Sequence, residues 1–110
     1  MTKSTLVLAT AALFLGASAT QSQAQSRSGR AAYNLPSRHM TTAARYEPIG
    51  SILKVTNPHT GKTITVRVDG RGPYNGNRIL DLSTGSFKAL YGSLGRGVGP
   101  VKYTVIKRGK

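Results

Sequence analysis

The sequence predicts a mainly β fold, a small closed barrel of short strands with one short helix. Three observations predict it. Thirteen Gly and five Pro in 110 residues favour a turn-rich β fold over a helix bundle. Lys62 to Val68 alternates strictly, with Ile64, Val66 and Val68 on one face and Thr63, Thr65 and Arg67 on the other. The chain has no cysteine, so a core this small must gain its stability by closing the sheet rather than by disulfides. At 110 residues it holds one domain at most.

The first 24 residues read as a cleavable export signal. Lys3 supplies a positive start, Leu6 to Leu15 is an apolar run, and Ala17-Ser18-Ala19 and Ser22-Gln23-Ala24 are two small-residue cleavage sites. A membrane span needs roughly 20 apolar residues, and Gln21, Gln23 and Gln25 follow too soon. No cysteine follows that could carry a lipid, so the expected location is periplasmic or secreted. Residues 25–38 are polar and read as a flexible lead-in, with room for a short strand at Ala31 to Tyr33.

The barrel domain is expected over 39–110. Ser51 to Thr56 is a strand, and Asn57 to Gly61 is a turn in which Pro58 presets φ and Gly61 accepts a positive one. With Lys62 to Val68 this makes a hairpin. Asp69 to Pro73 breaks the alternation, and Arg78 to Leu82 is a short strand. Ser83 caps a helix that runs to about Tyr91 and ends at Gly92, with Phe87 and Leu90 on its inner face. Ser93 to Pro100 is a glycine-rich loop, Val101 to Ile106 the last strand, and Lys107 to Lys110 a basic tail.

Charge narrows the function. Sixteen Lys and Arg against three acids give a net charge of +13. In a cytoplasmic chain this would point to nucleic acid. In an exported one it points to an anionic envelope polymer. The entire carboxylate supply is Glu47, Asp69 and Asp81. With no cysteine and only His39 and His59, no metal site and no cofactor are expected.

The stretch from Val66 to Ser83, VRVDGRGPYNGNRILDLS, resembles the signature of the rare lipoprotein A family, VRINDRGPF…GRxIDLS. Thr42-Ala43-Ala44 followed by Pro48-Ile49-Gly50-Ser51 is similar to the family's TAAH…LPFGT, and Leu53 to Asn57 to its VRVTN. The resemblance covers roughly Ala31 to Ile106. It implies a six-stranded double-psi β-barrel related to expansins, which binds peptidoglycan glycan strands. It also implies an endolytic transglycosylase that cuts the muramic acid–glucosamine bond without water, leaving an anhydro-sugar end. Three positions depart from the family. Its histidine after TAA is Arg45, its acid before RGP is Gly70, and its preceding Asn is Asp69. The WYG and TASGE blocks are missing, and the acid of DLS is kept as Asp81.

Asp81 is the first catalytic candidate, donating a proton to the glycosidic oxygen. One acid can suffice here, because the sugar's own hydroxyl replaces water, whereas hydrolysis uses two carboxylates. The structural alternative is that Asp81 bonds loop amides or pairs with Arg71 or Arg78. Asp69 is the second catalytic candidate. It reaches the same face only through a bulge, since a one-residue step reverses a strand side chain; otherwise it pairs with a nearby arginine. Glu47, in a loop, is a weaker third. Arg45, Arg71, Tyr74 and Arg78 are substrate-binding candidates, the arginines as carboxylate forks and Tyr74 as a stacking platform. Arg71 alternatively braces its own loop. The alternative function is a non-catalytic, expansin-like module that holds peptidoglycan. Nucleic-acid or membrane binding would fit the charge but explains neither RGP nor DLS. The expectation is therefore a monomer acting on glycan, with no nucleic acid and no membrane insertion after signal cleavage.

Overall fold

A computed structural model describes residues 26–34 and 36–110. The expected signal peptide over 1–24 lies outside the described residues. Six strands and one helix follow in order: β1 (Ser26–Tyr33), β2 (Thr41–Ala44), β3 (Ile52–Thr56), β4 (Thr63–Arg71), β5 (Arg78–Leu82), α1 (Thr84–Tyr91) and β6 (Val98–Lys107). They close in the order β1-β5-β2-β4-β3-β6, with β6 returning to β1. The β1–β5 and β2–β4 pairs are parallel and the rest antiparallel. This is the double-psi β-barrel, with every strand edge paired.

Alternation fills the interior. Leu53 and Val55 of β3, Val66 and Val68 of β4, Leu80 and Leu82 of β5, and Val101 and Tyr103 of β6 are all at most 1% exposed. Each such apolar side chain contributes about 1.5–3 kcal/mol by leaving water. The helix forms where Ser83 stays extended and its Oγ accepts the Ser86 N–H at 3.2 Å while donating to His39 O at 2.6 Å. It ends at Gly92, whose φ of 88° is a left-handed cap. Phe87 is fully buried, its ring centroid 4.8 Å from Tyr33 and 4.5 Å from Tyr91.

Four sequence expectations are corrected. Residues 25–38 are not simply a flexible lead-in: β1 occupies Ser26 to Tyr33 and pairs with both β5 and β6. The organised barrel therefore begins before residue 39. Before Tyr33, β1 carries only small residues at its inner positions, Gly29 and Ala31. Ala31 is fully buried, and a Cβ on Gly29 would come within 2.8 Å of Asn77 O. β4 continues through Asp69 to Arg71, where the glycines suggested a break. β6 starts at Val98, inside the expected loop, because Tyr91 lies against Gly99 and donates its hydroxyl to Pro100 O at 2.6 Å. The basic end is tied down, with Gly109 N–H donating to Ser51 Oγ at 2.8 Å.

Candidate functional site

Two bulges set the geometry of the motif residues. Against β1, the register of β5 steps from Arg30↔Arg78 to Ala31↔Leu80, so Ile79 is an extra residue. In a regular strand, residues three apart point to opposite faces. The extra residue returns Arg78 to the face of Asp81, and its guanidinium bonds Asp81 Oδ1. Against β2, the register of β4 steps from Thr42↔Val68 to Ala43↔Gly70, so Asp69 is the extra residue there.

The result is a row across three strands. Ala43 pairs with Asp81 on one side and with Gly70 on the other. Thr42, Ala44, Leu80 and Leu82 beside them are buried, whereas Ala43, Asp81 and Gly70 are half-buried. Alternation therefore turns this row to the outside of the barrel. Asp81 keeps Oδ2 without a partner among the described residues, and its side chain is 10% exposed. Asp69 is exposed, and among the described residues its carboxylate has neither ion pair nor hydrogen bond. The bulge that could have returned Asp69 to the row aligns Gly70 with it instead.

The other candidates scatter around this row. Arg45 continues the β2–β5 ladder, its N–H donating to Ile79 O at 3.1 Å, and lies two residues beyond Ala43. Its Nη1 donates to Gly76 O at 2.9 Å. Arg71 Nη1 donates to Glu47 O at 3.4 Å, a loop brace. Tyr74 is 65% exposed, its ring against Gly72, whose φ is +99°. His39 and His59 are exposed.

Glu47 is sealed inside. Its Oε2 accepts from Tyr103 Oη at 2.8 Å and Arg27 Nε at 3.3 Å, and its Oε1 from Arg108 Nη1 at 3.4 Å. Burial, and then the bond to that carboxylate, push the Tyr103 hydroxyl well above the usual tyrosine range. Burial also pushes Tyr91 up to about 12, against the opposing pull of Arg96 and Arg30.

Sequence reasoning missed an open pocket of about 300 Å³ lined by Ser26, Arg27, Ser28, Arg45, Tyr46 and Asn77 among others. The Arg27 guanidinium lies 4.1 Å from the Tyr46 ring centroid and that of Arg45 lies 5.5 Å from it. Arg27 carried no sequence signal because its segment lacks apolar alternation; only pairing with β6 makes it strand.

The family described as lytic transglycolase matches residues 9–103. A probable endolytic peptidoglycan transglycosylase RlpA from Nostoc sp. is 44% identical over 69 residues, 63% of this chain and 18% of the relative. The endolytic peptidoglycan transglycosylase RlpA of Campylobacter jejuni is 42% identical over 67 residues, 61% of this chain and 24% of the relative. The chain thus spans less than a third of these curated relatives. Among solved structures, an apo expansin of Clavibacter michiganensis shares the fold with a TM-score of 0.63 at 24% identity, over 78% of this chain and 52% of that one.

Proposed function

The chain belongs to the lytic transglycolase family, and from that membership we propose that it acts outside the cytoplasmic membrane, in the periplasm or secreted, as an endolytic transglycosylase on peptidoglycan glycan strands. One observation carries the reading. Of the three acids, Asp81 alone sits on the outward row with one oxygen that bonds nothing among the described residues, and its neighbours there, Ala43 and Gly70, are small.

Asp81 serves both proton transfers. Its Oδ2 passes a proton to the glycosidic oxygen as the bond from muramic C1 breaks. The C6 hydroxyl oxygen of the same sugar bonds to C1, and its proton passes to the carboxylate, which is thereby reset. No water enters, so a single carboxylate balances the reaction. Arg78 holds Oδ1 and fixes the carboxyl plane. Tyr74 offers an exposed ring against Gly72, two residues beyond Gly70. Asp69 has no contact that would join it to this chemistry.

A second reading is a non-catalytic wall-binding module. It is favoured by Gly70 standing where the family carries an acid, and by the Arg78–Asp81 pair. Mass spectrometry of muropeptides from sacculi incubated with the protein separates the two. Anhydro-muramic ends are expected, and Asp81→Asn, with its fold checked by thermal melting, should abolish them. Sacculus binding without such ends would leave the binding module. Absence of both would end either reading.

A further inference from the structure

The Arg27–Arg45–Tyr46 pocket lies beside the row that carries Asp81. Its chemistry is unlike that row. Two guanidinium carbons lie within 5.5 Å of one ring centroid. Each is held from behind: Arg27 Nε by buried Glu47, and Arg45 Nη1 by Gly76 O. Their remaining N–H groups make no bond to the described residues.

The three acids are accounted for. Glu47 is buried behind Arg27, Asp81 is held by Arg78, and Asp69 pairs with nothing among the described residues. Arg45 therefore has no acidic partner there. Arg27 and Arg45 are like charges gathered on one ring, and Glu47, which lies behind Arg27 and is shared with Arg108, offsets their repulsion only in part. An incoming carboxylate removes that repulsion and meets donors already oriented, so little side-chain freedom is lost on binding. Ser28 and Asn77 add neutral hydrogen-bonding groups to the same wall. A pocket of about 300 Å³ fits a sugar substituent rather than a whole strand.

We propose that Arg27 and Arg45, splayed on Tyr46, form an anion subsite that takes a carboxylate borne by the glycan, so that this chain selects acid-bearing over neutral sugars. The proposal rests on the glycan-strand reading above and adds the chemical class that its site prefers.

The test is a titration of the full chain, labelled with ¹⁵N, by N-acetylmuramic acid and by its methyl ester. The Arg45 Nε–Hε signal should shift saturably with the acid, and the ester should bind at least about tenfold more weakly, since a charge-assisted pair is lost. Arg45→Gln should bring acid and ester within about twofold of each other, and Arg45→Lys should recover part of the preference. Equal affinity for acid and ester, or a preference that survives Arg45→Gln, overturns the subsite. If the preference is present but sacculi are neither bound nor cut, the subsite stands and the glycan-strand reading falls. If sacculi are cut with no acid preference, the reverse holds.

Discussion

Substituting Gly70→Asp puts the chemistry of the outward row under direct test. A Cβ at position 70 would lie 3.5 Å from Ala43 Cβ, ordinary van der Waals contact, and the backbone there needs no positive φ. The new carboxylate would share the row with Asp81, with Ala43 between them. Adjacent strands are about 4.8 Å apart, so the two acids would be anchored roughly 10 Å from each other. Their repulsion is about 0.4 kcal/mol in bulk water and about 1.7 kcal/mol at an effective dielectric of 20. Removing glycine from a strand returns about 0.5–1 kcal/mol. The fold should therefore tolerate the change within about 1 kcal/mol, or a melting shift under about 8 °C. Activity should respond far more. One carboxylate could then donate to the leaving oxygen while the other accepts from the attacking hydroxyl. A positioned proton-transfer group is worth about 10²–10⁴-fold, so the yield of anhydro-muramic ends from sacculi should rise by about a hundredfold or more. Gly70→Asn is the neutral control of the same shape. A folded Gly70→Asp protein that releases no more than the unsubstituted chain, or no more than Gly70→Asn, would refute the assignment of this row.

Other expectations concern stability. Glu47→Ala should cost about 3 kcal/mol in urea denaturation, because the buried Tyr103 hydroxyl loses its acceptor and a cavity opens. Arg27 and Arg108, being 41% and 58% exposed, keep water, and Glu47→Gln should cost less because it retains an acceptor. Ser83→Ala should cost about 1 kcal/mol by uncapping the helix and leaving His39 O with the Thr41 N–H alone. Tyr91 and Tyr103 are both raised above their ordinary value of 10.0 in the folded chain. The unfolded chain therefore loses these phenolic protons first, so their stabilisation is complete below pH 10 and is lost as pH rises toward 12. Melts at pH 9 and pH 11 should show the fall, and Tyr91→Phe should lessen it; parallel behaviour of the variant would remove Tyr91 from the account.

Much of the barrel was legible because its strands alternate on one buried face. Ile64, Val66 and Val68 declared β4, and Ser83 with Gly92 bracketed the helix. β1 was illegible for the opposite reason: Gly29 and Ala31 pack through smallness, which leaves no periodic apolar signal. Among the candidate site residues, Asp81 was marked by the DLS block of the resemblance, and its place between Leu80 and Leu82 predicted the face it takes. The partner of Asp81 could not be read, because Arg71 and Arg78 both stood open, and regular alternation alone puts Arg78, three residues before Asp81, on the opposite face. Whether Asp69 or Gly70 aligns with Ala43 was not legible either, because it depends on where the bulge falls.

The sequence alone determined the outward placement of Asp81, the hairpin, the helix and its caps, because each depends on periods and caps a few residues long. Tertiary structure decided the rest. It chose Arg78 for Asp81 by inserting Ile79 as an extra residue, aligned Gly70 rather than Asp69 with Ala43, buried Glu47 under Tyr103, and brought Arg27 to Arg45. Those outcomes depend on the register between strands distant in the chain. A shift of one residue there reverses which side chains share a face, and no local pattern encodes it.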